Sequence, residues 1–204
     1  RFYACGGDGT LAEVLIGISA ATQAAAGRPD GNDEILPPDA RFQVACVPCG
    51  SANDYVRAFG GAEHFRDIRR QIDAPAVPVD AIEVAADGHD RRLSLNICAM
   101  GMDADVADKM IYFKHYPLVT GPMAYQLAIV YMLFHHIGRR LRVAIEDETG
   151  ETVERQGDYL FALAANGQYY GGGYRGAPQA LPADGLLDFL FVDTISRLQV
   201  PGFL

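Results

Sequence analysis

The strongest constraint on the fold is a pattern that occurs twice near the start of the chain: a short apolar run, a glycine turn, then a stretch of helical periodicity. Residues 2–5 read as a buried strand, Gly6-Gly7-Asp8-Gly9 as the turn, and residues 10–26 as a helix with Leu11, Val14, Leu15 and Ile18 on one face. Residues 42–48 repeat the strand and Cys49-Gly50 the turn. Residues 51–59 then read as a second helix, with Ser51, Asn53 or Asp54 as its cap. Successive strands joined through helices predict a mostly parallel sheet covered by helices. Ligands gather outside the C-terminal ends of such strands, so both turns are expected to face one cleft.

Between the two units, residues 27–41 are rich in Pro, Asp and Gly and read as a surface loop. Residues 63–72 read as a further helix that ends before Pro75. Beyond it the texture turns mainly β, with strands expected over 77–85, 92–99, 141–146, 159–165 and 187–192, and with Asp87-Gly88 as a hairpin turn. Helices are expected over 106–113 and 124–137. The change of texture places a domain boundary near Pro75, giving an α/β domain over 1–75 and a mainly β domain over 76–204.

Charge narrows the ligand class. The 17 Lys and Arg against 26 Asp and Glu give a net charge of −9, which counts against nucleic acid as a partner. A phosphate held by backbone amides stays open. Four scattered cysteines (Cys5, Cys46, Cys49, Cys98) fit a reducing, cytoplasmic setting rather than a disulfide framework. Residues 117–138 carry no Lys, Arg, Asp or Glu, but Pro122, Gln126, His135 and His136 interrupt the apolar run. A buried helix is expected there, with no transmembrane segment. The chain starts without a methionine, in what reads as the middle of a strand, and is expected to be a fragment.

Three segments carry the candidate chemistry. In Gly6-Gly7-Asp8-Gly9-Thr10 the glycines let backbone approach a ligand, and the amides at a helix start suit phosphate. A carboxylate at Asp8 makes sense there beside a divalent cation or a water network on a nucleotide; a plain tight turn capped by Asp8 or Thr10 is the alternative. In Pro48-Cys49-Gly50-Ser51-Ala52-Asn53-Asp54, Ser51 can donate its hydroxyl to a phosphate and Asp54 can join Asp8 near a metal, with helix capping as the alternative. Gly171-Gly172-Gly173 precedes a loop in which Asp184 is flanked by carbonyls, a set suited to an oxygen-seeking cation, or simply a turn before the last strand.

Taken in order, these segments, with Asn96, Gly101-Met102-Asp103-Ala104, Asn166-Gly167 and residues 178–187, resemble the bacterial diacylglycerol kinase-like lipid kinases, the family that also holds ceramide and sphingosine kinases. The Gly-Gly-Asp-Gly-Thr turn is shared with NAD kinases. The resemblance implies an α/β N-terminal domain and a β-sandwich C-terminal domain, with ATP and Mg²⁺ as cofactors and a lipid hydroxyl at a membrane surface as acceptor. It implies peripheral membrane association and allows a homodimer. By position it assigns Gly6, Gly7, Asp8, Gly9, Thr10, Leu11, Ala12 and Ser51 to the nucleotide, and Asp8 and Asp54 to a water network on its Mg²⁺. Leu181, Asp184 and Leu186 match an additional magnesium site. Ala12 stands where the family usually has Asn. The family's Asn-Pro opening strand and its Asp-Gly-Glu segment, which supplies the general base, find no match, so the base is expected outside this chain.

Rival readings are a non-catalytic nucleotide or lipid binder of the same fold, a thioredoxin-like enzyme using Cys46-Val47-Pro48-Cys49, and an NAD(P) enzyme using Gly7-x-Gly9-x-x-Ala12. The last needs an acid closing the next strand, whereas Asp30 and Asp33 fall in the predicted loop. Residues 109–116 mix aromatic and basic side chains, as a helix touching an acidic membrane or an ordinary amphipathic helix would. Asp8→Asn is expected to reduce turnover far more than it disturbs folding.

Overall fold

The computed structural model describes residues 1–25, 42–135, 138–194, 196, 198 and 199; the predicted 27–41 loop, with Asp30 and Asp33, and His136 lie outside them. Strand β1 (Phe2–Gly6) runs into helix α1 (Asp8–Ala25), and strand β2 (Val44–Pro48) pairs with β1 in parallel, with Ala4 opposite Cys46 and Gly6 opposite Pro48. The parallel pairing follows from the sequence order, because a helix between two strands carries the chain back to start the second strand at the same end. Leu11 and Leu15 are buried against Ala4, Cys46, Tyr55 and Val56, so the predicted face of α1 is its core face.

Residues 51–59 differ from the expected helix. Only Tyr55–Phe59 coil, as a 3₁₀ helix, and Ser51 to Asp54 form no regular element. Asn53 sits at φ 53°, where its Oδ1 accepts from the Gly50 amide and its Nδ2 donates to the Gly50 carbonyl. That closed loop uses the side chain that would have capped a helix. The next helix breaks in two, α2 (Ala62–Arg66) and α3 (Ile68–Asp73), because Asp67 between them is extended and its carboxylate caps the second piece at the Arg70 amide.

Strands β3 (Ile82–Val84) and β4 (Arg92–Ser94) form the antiparallel hairpin that Asp87-Gly88 predicted, although residues 77–81 are not strand. A four-stranded sheet follows, made of β5 (Ile97–Gly101), β6 (Arg139–Glu146), β7 (Thr152–Ala165) and β8 (Asp188–Asp193), with β7 between β5 and β6 and also paired to β8. Between β5 and β6 stand helices α4 (Met102–Phe113) and α5 (Gly121–His135). They pack through Met102, Val106, Ala128, Ile129 and Met132, which with Leu160 form a separate core.

The chain divides into two compact units, residues 1–98 with 165–188, and 99–164 with 189–204. The division thus falls after Cys98 rather than near Pro75, and the segment after β7 returns to the first unit. Residues 76–98 change texture without leaving the first core: Leu93 and Leu95 are buried with Leu11 and Tyr55. No helix among the described residues is long and apolar enough to cross a membrane.

Candidate functional site

Within the first unit the two glycine turns meet. A Cβ on Gly50 would stand 2.4 Å from the Gly7 Cα and 2.9 Å from the Gly7 nitrogen, so only glycine permits the approach. The Cys49 amide donates to the Gly6 carbonyl at 2.9 Å, extending the strand pairing into the turns. The first helical bond of α1 runs from the Leu11 amide to the Gly7 carbonyl, so the amides of Asp8, Gly9 and Thr10 have no partner within the helix. Nothing lies within 4 Å of a Cβ built on Gly9, so the turn is open there.

Asp8 ties the turns together. Its Oδ2 accepts from the Asp54 amide at 2.9 Å and its Oδ1 from the Tyr55 amide at 2.8 Å, so it caps the 3₁₀ helix from across the sheet. Asp54 itself is buried. Its Oδ1 accepts from Arg57 Nε at 3.1 Å and its Oδ2 from the Gly172 amide at 2.8 Å. The Gly171-Gly172-Gly173 segment takes positive φ throughout, at 61°, 91° and 110°, which aims that amide at Asp54. The structure therefore brings Gly6 to Ala12, Ser51 and Asp54 to one end of the sheet, ties Gly172 of the triple-glycine segment to them, and adds Arg57, which the sequence did not single out.

The loop proposed for a second cation lies apart in the same unit. Asp80, also not anticipated, anchors it: its amide donates to the Pro182 carbonyl at 2.8 Å and its Oδ2 accepts from the Gly185 amide at 2.7 Å. Asp184 turns its Oδ1 back to the Leu186 amide at 3.0 Å. A cavity of about 320 Å³ beside this loop is lined by Asp80, Glu83, Asn166, Gly185 and Leu186. Asn166, fully buried, donates to the Asp80 and Leu95 carbonyls, while its Oδ1 has no protein partner among the described residues. A larger cavity of about 600 Å³ is lined by core residues such as Leu11, Leu15, Phe42, Phe59 and Phe65, and none of the turn glycines reaches it.

The thioredoxin-like reading loses ground on geometry. Cys46 is buried within β2, and burial first, then the Asp8 carboxylate, pushes its thiol up to about 11. A redox pair needs the opposite, a lowered thiol pKa. Among the described residues no group of three or more His, Cys, Asp or Glu is placed to hold a metal. His135 stacks on Tyr131 at 3.9 Å and bonds the Tyr131 carbonyl, as a helix-end side chain does.

Comparison with known proteins agrees with the geometry. Residues 1–99 match the family model of the diacylglycerol kinase catalytic domain, and residues 96–204 match that of the YegS C-terminal NAD kinase beta sandwich-like domain. A protein of Alcanivorax borkumensis named "Probable lipid kinase YegS-like" is 29% identical over 183 residues, covering 90% of this chain and 52% of its own length. A protein of the same name from Pseudomonas fluorescens is 28% identical, covering 92% of this chain and 53% of its own length. A solved diacylglycerol kinase structure from Bacillus anthracis str. Sterne superposes with a TM-score of 0.56 at 20% identity, over 98% of this chain and 56% of that one, and supports the fold alone. The chain spans about half the length of the curated relatives it matches.

Proposed function

The chain belongs to the diacylglycerol kinase-like, YegS-type lipid kinase family, and from that premise we propose that the protein transfers the γ-phosphoryl group of ATP to a lipid hydroxyl such as that of diacylglycerol. The observation that carries the reading is the Gly7–Gly50 contact, which sets two turns side by side at the C-terminal ends of β1 and β2 and leaves Gly9 open above the start of α1. Helix-start amides at such a place attract phosphate oxygens through their dipoles. In the reaction the lipid oxygen bonds to the γ-phosphorus, the bond to the β-phosphate oxygen breaks, ADP leaves, and the hydroxyl proton passes to a base. Little covalent chemistry falls to the protein, and positioning supplies most of the acceleration.

The proposed roles follow. The backbone of Gly6, Gly7, Gly9 and Thr10, with the Ser51 hydroxyl, holds the phosphates, and Leu11 and Ala12, further into the helix, line them. Asp8 and Asp54 spend part of their acceptor capacity on backbone amides and Arg57. Their remaining lone pairs fit water on a nucleotide-bound Mg²⁺ better than direct ligation. The Leu181 and Leu186 carbonyls with the Asp184 carboxylate would hold a second, partly hydrated Mg²⁺ through oxygen atoms alone. Bound Mg²⁺ would supply charge neutralisation at the phosphates. Cytoplasmic placement with peripheral membrane contact belongs to the same proposal.

The test uses the intact protein with γ-labelled Mg·ATP and a panel of hydroxyl-bearing lipids, with Gly9→Asp alongside. The open space at Gly9 admits the side chain, so the fold should hold while a carboxylate meets the phosphates. Label on a lipid that the variant abolishes, at unchanged melting temperature, is the expected result. Wild-type protein that binds no ATP, or a variant with full transfer, overturns the proposal. ATP binding without labelled lipid selects the non-catalytic binder instead.

A further inference from the structure

The cavity of about 600 Å³ in the first unit is far larger than a packing fault. Protein interiors hold few voids bigger than a water molecule, and an empty one of this size forfeits dispersion contacts along its whole wall. Its volume falls instead among those of small-molecule sites. Polar bonds keep the wall in place. Arg1 donates to the Gln71, Ile72 and Ala74 carbonyls, and Gln71 Nε2 donates to the Cys46 carbonyl at 2.9 Å, which fixes one end of the irregular residues 74–79. Asp80 fixes the other end through Pro182 and Gly185. Val77 and Val79, on the segment between, line the cavity.

The lining identifies the occupant. In a chain of net charge −9, no Asp or Glu stands among the described lining residues, whereas Arg1, His64 and Arg70 do. Arg1 meets only carbonyls and the Gln43 side-chain oxygen, and exposed Arg70 pairs with no described acid, so neither charge is neutralised. Tyr55 also lines the cavity and is 8% exposed, yet its hydroxyl bonds to no described group. Buried polar groups are ordinarily satisfied, so this hydroxyl lacks an acceptor. Burial pushes the phenol pKa up and keeps it a donor. The rings of Tyr55, Phe59 and Phe65 cross at 57° and 67°, with centroids 5.2 and 6.4 Å apart, and none of these neighbours forms a parallel pair that would clamp a planar ring. With Leu11, Leu15 and Val77 they suit a flexible aliphatic chain.

We propose that this cavity binds a single acyl chain with an anionic head, carboxylate or phosphate, the chain lying against Leu11, Leu15 and Phe65 and the head meeting Arg70. The site is separate from the cleft proposed for the phosphates. Arg1 and Gln43 line it just ahead of β1 and β2, whereas the turns stand at the far ends of those strands, and no turn glycine lines it. An occupant would nonetheless touch Leu11 and Tyr55, whose amides bond the Gly7 carbonyl and the Asp8 carboxylate, so it bears on the backbone that sets the turns.

The test is calorimetric titration of the intact protein with dodecanoate, dodecyl phosphate and dodecanol, each below its micelle concentration, with and without Mg·ATP. One molecule of at least one anion is expected to bind per chain, with the alcohol about tenfold weaker; which anion binds tells carboxylate from phosphate. Arg70→Gln, on the exposed side of α3, should weaken the anions about fivefold and leave the alcohol unchanged. Leu15→Phe takes up cavity volume without adding a polar group and should weaken all three about tenfold, at an unchanged or raised melting temperature. Val79→Phe, on the irregular segment, is the second filler should the first lower that temperature. Binding of neither anion, the result if another segment of the intact protein fills the cavity, overturns the proposal. Equal binding of alcohol and anions does the same, as does anion binding that both fillers leave intact. Displacement of the anion by Mg·ATP would put the probe in the nucleotide cleft and also overturn it.

Discussion

Replacing Asp8 by Asn tests whether this carboxylate is a structural tie or a free group facing the nucleotide. The substitution keeps the side chain's shape, but one carboxylate oxygen becomes an NH₂ that points at an amide donor. Because Oδ2 meets the Asp54 amide at 2.9 Å and Oδ1 the Tyr55 amide at 2.8 Å, one of the two bonds must be lost whichever way the amide turns. A hydrogen bond to a charged group is worth about 1.5–3 kcal/mol, and the partial exposure of this pair argues for the lower half, about 2 kcal/mol. For a chain of this size that is a fall of about 6 °C in melting temperature. The expectation from sequence, that turnover would suffer far more than folding, therefore changes: both should fall. Calorimetry of wild type and variant without ligand reads the structural part, and γ-phosphate transfer at a temperature where both are folded reads the rest. A melting temperature within 1 °C of wild type would refute the tie.

Gly50→Ala should destabilise by about 1–3 kcal/mol, since its Cβ meets Gly7 backbone at 2.4 Å and backbone cannot rotate aside. Gly17→Ala, in open space on α1, should instead stabilise by about 0.5–1 kcal/mol. Urea midpoints compare the two, and similar values for both would mean that the turns do not touch. Alkylation at pH 8 should label the exposed Cys5 and Cys49 and spare buried Cys46, whose thiol loses its proton only near 11, until the protein is unfolded. Mass spectrometry locates the label, and Cys46 reacting as fast as Cys49 in the folded protein would reopen the redox reading.

What could be read from the sequence was what local chemistry dictates. The turn glycines, the α1 core face at Leu11 and Leu15 and the Asp87-Gly88 hairpin each follow from neighbours in the chain. The misread segment, 51–54, is shaped from far away: Asp8 caps the 3₁₀ helix from 46 residues earlier, and Asp54 is held by Gly172, 118 residues later. The sequence showed these acids in cation-friendly motifs but had no signal for the amides that occupy them. Residues 77–81 show the same limit, for their apolar and β-branched composition reads as strand while Asp80 spends its polar groups on the loop at Pro182 and Gly185. Both turns and the triple-glycine segment are thus cross-linked through two aspartates. The acids that look like metal ligands in sequence also hold the glycine turns at fixed spacing, and a change at either will move the backbone amides of those turns. Separating binding from framework therefore requires substitutions such as Gly9→Asp, which fill the open space and leave the cross-links intact.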